Sequence, residues 1–307
     1  MFHQPVLLSQ VLEAARGARR IVDGTLGDGG HAEALLATGA ELLAIDRDPD
    51  AIRIGRKRLG EERIEYLEAN YSSPAALEAV QQFGPDFILL DLGLSSRQLD
   101  QAERGFTFRQ GAALDMRMST EGPTAADLLN RASVDELARW LGEYGDERSN
   151  RRLALEIARR RERAAFATSD DLVNAIRSVL GRRAGPDDFA RIFQAIRIAV
   201  NDELAGLESA LPELRDALGP GGLLSVISYH SGEDRVVKHA FREWSRSCLC
   251  PPGQPVCTCR GHALGQEVPR GGTVPDPGEI ASNPRARSAR LRVFRVQSSV
   301  EGKKSPA

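Results

Sequence analysis

The stretch VDGTLGDGGH, residues 22–31, sets four glycines between Gly24 and Gly30 directly behind an apolar run, and His31 follows them. Glycines gathered after a buried strand let the backbone turn tightly or let something approach it closely. Two carboxylates stand at matching places further on: Asp46 closes the apolar run ELLAID, and Asp91 closes DFILLD. An acid at the end of the second strand is placed to accept the hydroxyls of a ribose, so the pattern points to a nucleoside-bearing cofactor. A dinucleotide site calls for G-x-G-x-x-G facing a pyrophosphate. The order here is G-T-L-G-D-G-G, and Asp28 sets negative charge where phosphate would lie. S-adenosylmethionine has a sulfonium cation and no phosphate, tolerates acidic walls, and is the cofactor these residues favour. For the glycine loop taken alone, a tight turn with no ligand is the other reading.

Four apolar runs, 19–24, 41–46, 63–70 and 86–93, carry these residues. Helix-patterned stretches separate them and end at Gly39, Gly60 and Gly84, with Pro49 and Pro74 at first-turn positions. Strand and helix alternating in this way predict βαβ units, hence a parallel α/β sheet of Rossmann-like type. The rhythm then stops. Residues 104–218 read as helices, and 189–211 reads as one amphipathic helix with Phe189, Ile192, Phe193, Ile196, Val200, Leu207 and Leu211 on its apolar stripe. Strand character returns at 221–231 and 288–296. The expected organisation is a sheet domain in two parts, 1–103 and 219–307, interrupted by an inserted all-helical substrate-recognition domain over 104–218. The second part contains an irregular segment rich in Cys, Pro and Arg.

Hydrophobic residues at 41% and charged residues at 27% describe a globular protein rather than a disordered or fibrous one. No run approaches the roughly 20 apolar residues of a membrane span, and MFHQPVLLSQ lacks the layout of a signal peptide. A cytoplasmic protein with no membrane partner is expected. The net charge of −2 hides two basic clusters. Arg148, Arg151, Arg152, Arg159, Arg160, Arg161 and Arg163 form one, and Arg285, Arg287, Arg290, Arg292 and Arg295 the other. Guanidinium groups at such density suit phosphate; a solvated helix face paired with its own glutamates is the alternative. All four cysteines fall in CLCPPGQPVCTC. Cys248, Cys250, Cys257 and Cys259 offer enough thiolates for a tetrahedral structural zinc site, and four free thiols are the other reading. Methyl transfer needs no catalytic metal.

Longer strings are more specific. DGTLGDGGHAEALL, LAIDRDPDAI, LLDLGLSSRQLD, AERGFTF with LDMRM, RIFQAIRIAVNDEL, ISYHSGEDRVVK and NPRARSARLR follow one another from residue 23 to 292. Together they resemble the bacterial 16S ribosomal RNA cytosine-N4 methyltransferases over nearly the whole chain. The resemblance implies a class I methyltransferase fold and transfer of a methyl from S-adenosylmethionine to a cytosine amine near the decoding centre, in 16S rRNA within the small ribosomal subunit. It implies that Gly29, Gly30 and His31 line the cofactor, that Asp46 holds the ribose, that Tyr71 packs by the adenine, and that Asp91 and Gln98 complete the pocket. The sequence departs from the family pattern at Arg97, where proline is usual, at Tyr229, where phenylalanine is common, and at Gly232, where leucine is usual.

The amine of cytosine is a weak nucleophile that must be oriented and must lose a proton. Asp115 and His230 are the residues expected to do this, with Asp91 as a third candidate. Asp115 paired with a nearby arginine, and His230 as a strand-end residue, are the bland readings. A non-catalytic RNA-binding assembly protein with a retained cofactor pocket is the alternative function. A dehydrogenase would need the missing G-x-G-x-x-G. The sequence leaves monomer and homodimer equally open.

Overall fold

The computed structural model describes residues 5–298 except Arg182 and Pro255, with the side chain of Ser96 also left undescribed. The first four residues of MFHQPVLLSQ and the last nine of the expected 219–307 segment lie outside the described residues. Two compact units make up the chain, one from residues 1–93 together with 204–307 and the other from 94–203.

The first unit begins with α1 (Leu8–Ala14), then alternates β1 (Arg20–Asp23), α2 (Gly30–Leu36), β2 (Glu41–Asp46), α3 (Pro49–Leu59), β3 (Ile64–Glu68), α4 (Pro74–Phe83) and β4 (Phe87–Asp91). Local chemistry sets the helix starts. Asp48 and Ser73 accept hydrogen bonds from Asp50 N and Ala76 N, and a proline follows each cap. Alternate strand residues go to opposite faces. Val22, Leu43, Ile88 and Leu90 join one core and Ile21, Leu42, Phe87 and Leu89 the other, the sharing-out of a sheet covered on both sides.

The second unit contains α5 (Ser96–Asp100), α6 (Ala125–Arg131), α7 (Val134–Glu143), α8 (Asn150–Arg161), α9 (Ser169–Leu180) and α10 (Pro186–Asn201) around its own apolar cluster. Capping boxes at Ser95, Thr124, Ser133 and Thr168 start four of these helices.

The chain returns through α11 (Glu203–Asp216), β5 (Leu223–Ser228), α12 (Ser231–Trp244), β6 (Gly265–Glu267), α13 (Pro277–Ser282) and β7 (Arg290–Val296). Among the described residues seven strands form one sheet in the order β3-β2-β1-β4-β5-β7-β6. The first five are parallel, and β7 lies antiparallel between β5 and β6. This is the α/β sheet that the resemblance to class I methyltransferases leads one to expect, and its order reverses between β1 and β4. Connections diverge there, opening a crevice at the strands' carboxyl ends.

The structure shifts three expectations. The helical unit runs from Leu94 to Glu203 rather than 104–218, because Leu207, Ala210, Leu211 and Leu214 of α11 pack into the sheet's core. The single helix expected over 189–211 is two, divided at Asp202, whose φ of 50° is left-handed. Within the irregular segment a short strand, β6, is held by pairing with β7. Among the described residues no helix is long and apolar enough to cross a membrane.

Arg292, expected among the phosphate-facing arginines, is instead 4% exposed. Its guanidinium donates to both carboxylate oxygens of Asp234 on α12 and to Glu267 on β6. Removing it leaves Glu267 without this ion pair and Asp234 with only the more distant Arg290, at 3.8 Å. Arg292→Ala is expected to lose about 3 kcal/mol of stability in urea unfolding, whereas the exposed Arg287→Ala changes it by under about 0.5 kcal/mol.

Candidate active site

The carboxyl ends of β1, β2 and β4 each finish on an aspartate: Asp23, Asp46 and Asp91. The loop between β1 and α2 is tied to the last two. Gly27 N donates to Asp46 Oδ2 at 2.8 Å, and Asp91 N donates to Thr25 Oγ1 at 2.6 Å. Asp48 N occupies the other oxygen of Asp46. Each carboxylate oxygen has a second lone pair, so both remain competent to accept ribose hydroxyls.

The glycines turn out to serve the protein's own packing. A Cβ on Gly24 would stand 2.5 Å from Leu90 Cδ2, and one on Gly30 would stand 2.6 Å from Pro5 Cγ. Gly29 caps α2 with φ of 78°, a conformation that side chains resist. The bare backbone lets the segment before α1 lie on α2 and lets β1 approach β4. Arg58 pins the outside of the loop, donating to Asp28 O and to Glu33.

His31 is buried beneath this loop. Its Nε2 lies 3.0 Å from Val6 O. A carbonyl only accepts, so this contact assigns the proton to Nε2 and leaves a lone pair on Nδ1. That lone pair faces Asp91 Oδ2 at 3.5 Å, while Tyr229 OH donates to Asp91 Oδ1 at 2.8 Å. Burial pushes the Asp91 carboxyl up to about 7, against the downward pull of the Tyr229 hydrogen bond; nearby Glu233 pushes it up further. Burial likewise takes Asp23 to about 7, with His31 opposing it and the Asp91 and Asp46 charges adding to it. Burial also lowers His31, keeping the imidazole neutral. A proton on Asp91 Oδ2 would therefore face an acceptor.

Tyr71, on the loop after β3, is buried in the core cluster against the β1 end, with its Cβ 3.5 Å from the place of a Gly24 Cβ. Gln98 belongs to the helical unit, where its side-chain oxygen accepts from Ser95 N and completes the capping box of α5. Asp115, in the same unit, is gripped by the Arg117 fork at 2.8 and 2.7 Å. Partial burial raises its carboxyl, but the hydrogen bonds from Arg117 outweigh that and hold it below the usual range. His230 caps α12 by accepting from Glu233 N at 3.4 Å. Its Nε2 lies 3.0 Å from Glu233 Oε1 but makes no aligned hydrogen bond. Gly232 gives the ring room: a Cβ there would meet His230 Nδ1 at 3.0 Å. Asp115 is committed to Arg117 and His230 to the cap of α12, whereas Asp91 has neutral partners and a carboxyl raised by burial.

Sequence reasoning singled out neither Thr25 nor Glu233. The spacing His230-x-x-Glu233 at the end of an apolar run was the available signal for a helix cap. Glu233 Oε2 accepts from Tyr229 N at 2.8 Å, so the cap also fixes the tyrosine that reaches Asp91.

The donor set decides what fits. Three aspartates whose carboxyls are all raised suit a cationic ligand without phosphate, and S-adenosylmethionine matches them through its sulfonium and its amino group. Asp46 would hold its ribose.

Of the seven arginines around α8, four are engaged within the protein. Arg151 pairs with Asp135, Arg159 and Arg160 with Glu156, and Arg161 donates to the carbonyls of Leu129 and Ala132. Arg148, Arg152 and Arg163 are exposed. They are the members of this cluster left to meet phosphate.

A model of the MraW methylase family matches residues 1–297. The ribosomal RNA small subunit methyltransferase H of Gemmatimonas aurantiaca is 56% identical over 301 residues, covering 96% of this chain and 95% of that one. Its namesake from Heliobacterium mobile is 44% identical over 304 residues, covering 95% and 97%. A crystal structure of an rRNA methylase from Streptococcus thermophilus aligns with a TM-score of 0.42 at 11% identity, covering 95% and 94%.

The Asp91 environment makes a signed prediction. Because its folded value lies above its ordinary one, its contribution to stability is complete below the ordinary value of 3.8 and is lost as pH rises through about 7. Asp91→Asn should therefore melt higher than the parent at about pH 8, with the gain vanishing toward about pH 4. Thermal unfolding across that range reads the difference.

Proposed function

The chain belongs to the MraW methylase family, and on that premise we propose that it methylates the exocyclic N4 amine of a cytosine in 16S ribosomal RNA, near the decoding centre of the small subunit. Asp91 carries this reading: a carboxylate at the end of β4, beside the glycine loop, fixed by Thr25 and Tyr229. When bound, S-adenosylmethionine supplies an electrophilic methyl group. Asp46 orients the ribose of that donor, and Asp91 accepts a hydrogen bond from the cytosine amine and receives the proton released as the amine gains its methyl. Tyr229 donates to Asp91 Oδ1 and Oδ2 faces the lone pair of His31 Nδ1, so a proton received by this carboxyl is held on Oδ2, directed toward that ring. An acceptor near neutrality is effective because it is deprotonated often enough to act and basic enough to take the proton. Asp115, neutralised by Arg117, and His230, engaged as a helix cap, then have supporting roles.

The position of the cysteines favours the amine over a ring carbon. Methylation at C5 of a pyrimidine runs through attack by a thiolate on the ring, and all four cysteines of this chain are confined to 248–259. Methylation of an amine asks only for orientation and a proton acceptor. Reaching a paired base would also cost its unstacking, which favours a subunit that presents the cytosine already exposed. Such a substrate places the reaction in the cytoplasm.

Labelled methyl transfer from S-adenosylmethionine, followed by nucleoside analysis, tests the reading. N4-methylcytidine from unmodified small subunits is the expected product, with less or none from free 16S RNA. Label in another nucleoside overturns it. No label, with the donor demonstrably bound, favours the non-catalytic assembly protein.

Phosphate contacts fix a nucleic acid in place and make affinity fall with salt. The combined change Arg148→Ala, Arg152→Ala and Arg163→Ala should lower the slope of log affinity against log salt by about 0.7 for each phosphate of a single strand that is no longer neutralised. Arg159→Ala, whose side chain is paired with Glu156, should leave that slope unchanged. Filter binding over a salt series separates the two.

A further inference from the structure

Between α12 and β6 the chain leaves the sheet and returns, and both ends of the excursion are closed. Leu264 N donates to Trp244 O at 2.8 Å. Arg260 donates to the side chain and carbonyl of Glu243 and to Arg246 O, fastening the lobe to the carboxyl end of α12. Among its described residues the lobe has no apolar core: its one branched aliphatic side chain beyond Leu249, Val256, is 70% exposed.

What gathers it is sulfur. Cys248 and Cys257 are separated by 3.9 Å, Cys250 and Cys257 by 3.8 Å, Cys248 and Cys259 by 3.8 Å, and Cys257 and Cys259 by 3.4 Å. All four Sγ atoms lie within 4.8 Å of one another, and all four cysteines are free thiols. A cation with four Zn–S bonds of about 2.3 Å in a tetrahedron holds its sulfurs about 3.8 Å apart.

The backbone around the sulfurs is arranged with matching economy. Leu249, between the first two cysteines, donates its N–H to Cys259 Sγ at 3.2 Å. Thr258, between the last two, donates its N–H to Cys250 Sγ at 3.4 Å. Each C-x-C half thus sends the amide of its middle residue to the last sulfur of the other half. Donors of this kind orient ligand sulfurs and offset their negative charge. Ionised together at these distances, four thiolates would repel strongly, and a cation among them offsets that charge.

We propose that Cys248, Cys250, Cys257 and Cys259 bind a single zinc ion in a closed tetrahedral site that folds the lobe. Zinc displaces the four thiol protons to solvent and changes no oxidation state. With four sulfur ligands the ion has no open position, and its role is structural. The lobe joins the carboxyl end of α12, whose fourteen residues span about 21 Å, while the amino end of α12 supports Tyr229. The site therefore stands apart from the methyl-transfer chemistry.

The full-length protein, purified anaerobically with reductant and without chelator, is analysed for metals by mass spectrometry. A single equivalent of zinc per chain is expected, falling to background in the double variant Cys250→Ser, Cys259→Ser. Cobalt exchanged into the unaltered chain keeps the test independent of how that variant folds. Sulfur-to-cobalt charge transfer with intense tetrahedral d–d bands is expected, and removal of the metal by a chelator should expose 248–259 to protease. Bound iron instead of zinc, four reactive thiols with no metal, paired disulfides, or a weak octahedral cobalt spectrum would each overturn the proposal.

Discussion

Three carboxylates converge on one crevice, and the cost of ionising them together constrains everything built around it. Asp23, Asp46 and Asp91 are where they are because parallel strands that reverse their order at β1 and β4 deliver their last residues to the same edge. Burial raises all three, and the charges of Asp46 and Asp91 add to the cost of ionising Asp23. The protein relieves this in two ways. Backbone amides from the glycine loop and from Asp48 serve Asp46, and a tyrosine hydroxyl serves Asp91. A cationic donor of methyl groups would meet the remaining imbalance, so the same crowding that strains the site selects its ligand.

Two departures from the family pattern belong together in this setting. Tyr229 supplies a hydroxyl that a phenylalanine lacks, and that hydroxyl is the donor to Asp91. Gly232 leaves space for the imidazole of His230 to fold over the first turn of α12, where a leucine would meet it. The cap closed by His230 and Glu233 then fixes the backbone of Tyr229. Through these contacts a change in one helix's first turn reaches the carboxylate at the end of a neighbouring strand.

Much of this was legible in the linear sequence, and the reasons for the rest are physical. Strands β1, β2, β4 and β5 announced themselves because buried parallel strands are continuous apolar runs, β3 more weakly because only its Ile64 is buried, and Asp46 and Asp91 were visible because they end such runs. The glycine loop was legible as a loop, though not as a device for packing Pro5 and Leu90. Asp202 was hidden because one left-handed residue does not interrupt an apolar stripe that both helices share. β6 has three residues, GQE, with no pattern of their own; its partner strand makes it. Arg292 read as one arginine among five, since its two acids come from elements remote in the chain. Asp115 and His230 have the right chemistry for catalysis, and only the positions of Arg117 and Glu233 reveal that both are engaged elsewhere.

The helical unit's place within the chain also bears on how the protein comes to be folded. β4 and β5 are hydrogen-bonded neighbours, yet Phe87 and its partner Leu223 are separated by the whole of that unit. In equilibrium terms the detour is inexpensive, because lengthening a connection tenfold adds only about 2 kcal/mol of closure entropy. Its cost falls on speed, since contacts between distant parts of a chain form late. The helices of the insertion draw on partners close in sequence and on a core of their own, so they can assemble while the sheet is still divided. Pairing of β5 with β4 is what brings Tyr229 to Asp91, so the carboxylate gains its hydroxyl partner only through a contact that spans the whole insertion.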